Sequence, residues 1–112
     1  MRDLSMLSKA HTEVRDQNKE LRVAMGLWLR GLREGQGLSQ RELANALNLE
    51  YYTFISQLEN GRGRIPPSRY TEWAQALGQD PKAFVKAVLY YYDPVSYAIL
   101  FEGEGAPNAV AQ

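Results

Sequence analysis

The chain contains no cysteine and only one histidine, His11. The absence of cysteine excludes disulfides, thiolate zinc sites, iron–sulfur clusters and a cysteine nucleophile. One histidine is too few for a histidine-based metal site or a Ser-His-Asp triad. The acidic residues are scattered and form no recognisable catalytic or metal-binding pair. We therefore expect no catalytic residue, no metal and no cofactor, and a protein that is not an enzyme.

Long apolar runs are also absent, since no stretch approaches the roughly 20 apolar residues of a membrane span. The first residues, Met1-Arg2-Asp3-Leu4, lack the apolar run of a signal peptide. We expect a cytoplasmic protein with no membrane partner. The 112 residues are 45% hydrophobic and 23% charged, which is typical of one globular domain that needs no metal or disulfide to fold.

The net charge of zero hides an uneven distribution of charge along the chain. Residues 1–92 contain all 13 basic residues and 10 of the 13 acidic ones, so their net charge is 13 − 10 = +3. Residues 93–112 contain Asp93, Glu102 and Glu104 and no base, which gives −3. A mildly basic body with an acidic tail is compatible with a polyanionic partner.

Hydrophobic periodicity and helix punctuation predict an all-α fold. Apolar residues recur at helical spacing along 19–34, and Ser39-Gln40-Arg41-Glu42 matches a capping box at the start of a second helix. Asn48 suits the left-handed conformation that ends this helix, and Asp80-Pro81 is typical of a helix start. We predict helices over residues 19–34, 39–47, 50–60, 67–77 and 80–92.

These helices define a domain over residues 19–92, flanked by three further segments. Residues 1–18 are predicted to form an N-terminal helical arm, whose heptad-like apolar spacing suits packing on its own domain, a dimeric coiled coil or a frayed arm. Residues 93–101 form an apolar segment in which helix is favoured over strand. Residues 102–112 are rich in glycine and small residues, and we expect a disordered acidic tail.

The second and third predicted helices are short and are joined by a tight turn, which is the pattern of a helix-turn-helix. In such a pair the first helix supports the second from behind, so that the second protrudes. A helix about 10–12 Å across fits the major groove of B-form DNA, which is about 12 Å wide. This arrangement favours a DNA-binding domain that reads the groove with helix 50–60.

Four runs of residues carry a resemblance to a known family: Leu32-Arg33-Glu34, Gly37-Leu38-Ser39-Gln40-Arg41-Glu42-Leu43-Ala44, Leu47-Asn48-Leu49 and Ile55-Ser56-Gln57-Leu58-Glu59-Asn60-Gly61. In this order and spacing they resemble the Cro/xenobiotic-response-element (XRE) type helix-turn-helix of phage repressors and bacterial regulators. The resemblance spans about residues 29–77 and implies a five-helix, lambda-repressor-like domain. The sequence departs from the family pattern at Asn48, where glycine is usual, and by one extra residue within 48–52.

The resemblance also implies roles for individual residues. The residues expected to contact base edges are Tyr52, Thr53, Ser56 and Gln57. Those expected to contact phosphates are Ser39, Gln40, Arg41, Tyr51, Asn60, Arg62, Arg64 and Arg69. Arg33 and Glu59 are expected to form a structural salt bridge. Because helix 50–60 contains no lysine or arginine, we expect weak guanine contacts and an affinity supplied by the surrounding arginines.

The sequence thus favours a sequence-specific regulator of transcription that binds double-stranded DNA, and we expect a repressor. One recognition helix reads few base pairs, so a homodimer is expected. The surplus of aromatic and aliphatic residues within 90–101 suggests self-association through the C-terminal segment, with the N-terminal helix as the second candidate. The alternative is an antitoxin or another regulator whose main role is to bind a protein partner through the same C-terminal segment.

Overall fold

The computed structural model describes residues 4–101 and 103, with side chains described from residue 17 onward. The α-helices of this part of the chain are α1 Leu4–Gly35, α2 Gln40–Ala46, α3 Thr53–Glu59, α4 Tyr70–Ala76, α5 Pro81–Tyr92 and α6 Pro94–Leu100. A short 3-10 helix, Pro67–Arg69, leads into α4. The prediction of an all-α fold is confirmed.

Helix α1 is longer than the sequence pattern indicated. It runs for 32 residues without interruption through residue 18, where we expected the boundary between the arm and the domain. The expected arm and the first helix of the domain are therefore one continuous rod. Leu4, Leu7, His11 and Val14, which carry the heptad-like spacing within the arm, lie outside the described side chains, so the alternatives for the arm stay predictions.

One hydrophobic core unites the first five helices. Helix α1 packs against α3 and α5, and α5 also packs against α4 and α6. The largest side chains at the centre are Trp73 and Phe84, and Trp28 stacks on Phe84 with the ring centroids 5.3 Å apart. Full burial of a large apolar side chain contributes about 1.5–3 kcal/mol to stability. This core gives α3 a rigid support.

Aspartates and prolines fix the starts of α5 and α6. The Asp80 carboxylate accepts a hydrogen bond from the Ala83 amide at 3.0 Å. The Asp93 carboxylate accepts one from the Ser96 amide at 3.0 Å and another from the Ser96 hydroxyl. These bonds to Ser96 lower the pKa of Asp93. The preference for helix over strand within residues 93–101 is thus realised as α6.

Among the helices described, none is both long enough and apolar enough to cross a membrane. Residues 102 and 104–112, which make up nearly all of the acidic tail, lie outside the described residues. The expectation of a disordered tail therefore stays a prediction.

Candidate nucleic-acid interface

Helix α2 begins and ends with local motifs that the sequence specified. The Ser39 hydroxyl accepts from the Glu42 amide at 3.0 Å, and the Glu42 carboxylate accepts from the Ser39 amide at 3.0 Å, which completes the capping box. At the other end, Asn48 adopts φ of 55°, and the Leu49 amide donates to the Ala44 carbonyl at 2.9 Å. This is a Schellman motif with asparagine in the left-handed position where glycine is usual.

Helix α3 begins at Thr53, three residues later than we predicted. Residues 50–52 form an irregular turn instead, because the chain must leave the left-handed position at Asn48 and bury part of Leu49 before it turns into α3. This turn lies within residues 48–52, where we expected one extra residue relative to the family pattern. Tyr51 is consequently outside the helix and 66% exposed, whereas Tyr52 occupies the N-cap and is 39% exposed.

The two faces of α3 differ sharply in burial. Ile55 and Leu58 are only 1% and 4% exposed, and the half-buried Phe54 meets the Trp73 ring edge-on at 6.3 Å. The residues on the other side are Thr53, Ser56, Gln57 and Asn60, hereafter the polar stripe. Their spacing of three and four residues places them along one edge of the helix, and all but the partly buried Ser56 are exposed. The polar stripe therefore faces away from the core.

A shallow groove lies beside the start of α3. The Arg41 guanidinium is 4.9 Å from the centre of the Tyr52 ring, a cation–π geometry that joins the start of α2 to the start of α3. The groove has a volume of about 240 Å³ and is lined by Arg41, Ala44, Asn45, Leu49, Glu50, Tyr51 and Tyr52. The rings of Tyr51 and Tyr52 and the Arg41 guanidinium therefore lie at the protein surface in this groove.

A charged cluster holds the other end of α3. Arg33 Nε and Nη2 donate to the two carboxylate oxygens of Glu59 at 2.7 and 2.9 Å, and Gln40 Nε2 donates to Glu59 Oε1 at 3.1 Å. The pKa of Arg33 is raised, mainly by its hydrogen bond to Glu59. Arg33 therefore stays charged, and it neutralises an acidic residue that would otherwise repel phosphates near α3.

Gly26 lies where α1 contacts the end of α3, a role that the sequence pattern did not assign to it. A Cβ atom at this position would lie 2.4 Å from the Glu59 carbonyl oxygen, so only glycine lets α1 approach the end of α3 this closely. The signal was present, because an isolated glycine inside a helical pattern suggests a packing constraint. Gly26 sets the distance between α1 and the helix that carries the polar stripe.

The segment after α3, residues 61–66, is hereafter the arginine loop. Gly61 has φ of 80° and ends the helix, and the Arg62 amide donates to the Gln57 carbonyl at 2.8 Å. Arg62 and Arg64 are exposed, and the Arg64 guanidinium lies 4.3 Å from the centre of the Tyr92 ring. The loop thus adds two cations directly beyond the polar stripe.

These features together have the form of a known domain. A sequence model of the helix-turn-helix domain family matches residues 24–84. The chain belongs to the helix-turn-helix domain family. The match runs from α1 into α5, so it includes the polar stripe, its supports and the arginine loop. It agrees with the resemblance to the Cro/XRE type and assigns the chain the domain of a DNA-binding regulator. A comparison with curated proteins finds no match to this chain.

Some residues expected to contact phosphate have internal partners in this helix-turn-helix domain. Arg69 Nη2 donates to the Leu47 carbonyl at the end of α2 and, at 2.7 Å, to Glu72. Arg69 thus has internal partners in the structure, and its expected contact with phosphate stays a prediction. Ser39 caps α2, and Gln40 supports Glu59. Of the expected phosphate contacts, Ser39, Arg41, Tyr51, Asn60, Arg62 and Arg64 are exposed, and the Asn60 side-chain amide donates to the Ser56 carbonyl at 2.8 Å.

Proposed function

We propose that this helix-turn-helix protein is a cytoplasmic, sequence-specific transcriptional repressor that reads the major groove of double-stranded DNA with the polar stripe. The observation that carries the proposal is the division of α3 into a buried apolar face and an exposed polar edge. A helix supported from behind by α1, α2 and α4 enters the groove as a rigid body. Nothing in the proposal requires a cofactor or a catalytic group.

Base contacts come from the exposed edge of α3 and its N-cap. Gln57 suits adenine, because its amide can donate and accept in the same plane. The Thr53 methyl group and the Tyr52 ring suit the thymine methyl group, and the Ser56 hydroxyl can donate or accept. Since α3 carries no lysine or arginine, we expect sites in which A·T pairs dominate the positions that α3 contacts.

Phosphate contacts come from both sides of α3. Arg41 and Tyr51 lie at its start, whereas Asn60, Arg62 and Arg64 follow its end. Asn60 is the last residue of the polar stripe, and the other four groups bracket the stripe; together they can hold the two phosphate backbones that border the groove. Contacts of this kind fix the position of the protein on the duplex without reading its sequence, and they make binding depend on salt.

A second copy of the chain completes the proposal, because useful specificity needs two half-sites about 34–36 Å apart. Helix α6 exposes Val95, Ile99 and Leu100. Beside it lies a largely apolar hollow of about 490 Å³, lined by Pro81, Lys82, Val85, Lys86, Leu89 and Phe101. A two-fold interface brings the same surface of both copies together, and a projection beside a hollow allows that surface to be self-complementary. We therefore place the dimer contact at α5 and α6 rather than at α1.

Selection of bound duplexes from a random-sequence library tests the proposal. We expect enrichment of one half-site motif in two inverted copies, with a spacing that reports the geometry of the dimer. Absence of any enriched motif would reject sequence-specific reading. If the protein instead copurified stoichiometrically with another protein and enriched no motif, the partner-binding alternative would replace the proposal.

A further inference from the structure

Tyr92, the last residue of α5, makes two contacts with the arginine loop. Its hydroxyl oxygen accepts a hydrogen bond from the Ile65 amide at 2.9 Å. Its ring lies beneath the Arg64 guanidinium, whose central carbon is 4.3 Å from the ring centre. Burial raises the pKa of the Tyr92 hydroxyl, so this group stays neutral at physiological pH. Tyr92 and Ile65, which are 27 positions apart in the chain, are thereby joined next to the proposed DNA surface.

The arginine loop needs such an anchor because its own sequence gives it little rigidity. Gly61 and Gly63 both have positive φ, 80° and 73°, and glycine leaves the unfolded loop many alternative conformations. The hydrogen bond from the Arg62 amide to Gln57 secures only the first end. At the second end the Ile65 side chain is buried, and its amide is paired with Tyr92.

The position of the Arg64 guanidinium over the Tyr92 ring also has a chemical consequence. A cation–π contact holds a guanidinium through the face of the ring, which is not a hydrogen-bond acceptor of the strength of a carboxylate or a carbonyl oxygen. Phosphate is bound through the N–H donors of the guanidinium, commonly by two parallel hydrogen bonds. The ring therefore restricts the motion of Arg64 without occupying the donors that a phosphate would use.

We propose that Tyr92 is a positioning residue for DNA binding, which holds the arginine loop and presents Arg64 to a backbone phosphate. The inference rests on the proposed function, because it assigns Arg64 a phosphate. It adds a role for a residue in α5, outside the helix-turn-helix motif itself. Tyr92 touches no DNA and acts through Arg64.

Binding of a fluorescein-labelled, mixed-sequence duplex at a series of potassium chloride concentrations tests the proposal. The variants are Tyr92→Phe, Tyr92→Leu, Arg64→Ala and the double variant Tyr92→Leu/Arg64→Ala. We expect Tyr92→Leu to weaken binding about tenfold and to reduce the salt slope by about one, as Arg64→Ala does. Tyr92→Phe keeps the ring and should lie between the wild type and Tyr92→Leu.

The double variant separates positioning from a general loss of stability. If Tyr92 acts through Arg64, Tyr92→Leu has no further effect on the salt slope once Arg64 is alanine. Equal effects in both backgrounds would overturn the inference. Tyr90→Phe is the matched control, because the Tyr90 ring contacts Tyr91 and Tyr97 in the described structure, and it should leave the slope unchanged.

Amide hydrogen exchange of the free protein distinguishes failure of this inference from failure of the proposed function. We expect Tyr92→Phe to speed exchange of the Ile65 amide severalfold, while the amides of α3 keep the wild-type rate. Unchanged exchange at Ile65 would overturn the anchoring role, whatever the DNA results. A wild-type protein that binds no duplex would reject the proposed function itself and, with it, the phosphate role of Arg64.

Discussion

Arg33 contacts both carboxylate oxygens of Glu59, and this pair ties the end of α1 to the end of α3. The two side chains are only 10% and 6% exposed, and a second donor, Gln40, completes the coordination of the carboxylate. Arg33 Nη1 also donates to the Leu38 carbonyl at 2.7 Å. The pair therefore fixes three elements relative to one another: α1, the turn before α2, and α3.

Loss of Arg33 should destabilise the fold strongly. Arg33→Ala leaves the Glu59 carboxylate almost buried without its main partner, which typically costs about 3–5 kcal/mol. Urea denaturation should show a midpoint shifted well below that of the wild type. Arg30→Ala is the matched control, because the Arg30–Glu34 pair of the same helix is exposed and should contribute little. An unchanged midpoint for Arg33→Ala would refute the structural role of the pair.

Two glycines of α1 should respond to alanine in opposite directions. Gly26→Ala places a Cβ atom 2.4 Å from the Glu59 carbonyl oxygen, and overpacking of this kind costs about 1–3 kcal/mol. At Gly31 nothing lies within 4 Å of a new Cβ, so alanine should stabilise the helix by up to about 1 kcal/mol. Thermal melting of both variants checks the prediction, and a Gly26→Ala variant as stable as Gly31→Ala would contradict it.

The capping box of α2 should make stability depend on pH in the acidic range. The Ser39 amide donates to the Glu42 carboxylate and lowers its pKa from 4.5. A carboxyl group with a lower pKa in the folded state stabilises above its unfolded pKa, and this contribution is lost as the pH falls through the folded pKa. Glu42→Gln keeps an acceptor that does not titrate. The difference in melting temperature between wild type and variant should therefore shrink on acidification, and a constant difference would contradict the assignment.

A single acidic substitution should separate the two candidate dimer surfaces. Ile99 is 74% exposed on α6, so Ile99→Asp should leave the fold intact while it disrupts a dimer formed through α5 and α6. Leu27→Asp makes the same change at an exposed position of α1. Sedimentation equilibrium should show a dimer for the wild type and Leu27→Asp, and a monomer for Ile99→Asp. The reverse pattern would place the interface on α1.

Much of the fold was predictable because local chemistry determined it. Ser39 and Glu42 form the expected capping box, Asn48 takes the expected left-handed position, and Asp80 starts α5 as its sequence suggested. The start of α3 was misplaced because Glu50, Tyr51 and Tyr52 are compatible with a helix locally. The turn after Asn48 and the packing of Leu49 determine that the helix begins later, and tertiary packing of this kind overrides local preference.

The sequence predicted which side chains of the candidate site are exposed. It did not predict contacts between residues that lie far apart in the chain. Thr53 and Gln57 lie on the exposed edge of α3, as a period of 3.6 residues requires. The contacts of Tyr92 with the arginine loop and of Gly26 with Glu59 depend on how α5 and α1 pack, so periodicity alone gave them no role. The hydrogen bond from Arg69 to the Leu47 carbonyl likewise depends on tertiary packing, and the sequence pattern did not indicate it.

In the proposed function, the polar stripe reads base sequence while the arginines around it hold phosphates. The most direct test compares the affinities of Gln57→Ala and Arg62→Ala for the selected site and for a scrambled duplex. Gln57→Ala should reduce discrimination between the two duplexes by about 1–3 kcal/mol. Arg62→Ala should weaken binding to both duplexes alike and reduce the salt slope by about one. If Gln57→Ala and Arg62→Ala weakened both duplexes equally, the polar stripe would not be the reading surface.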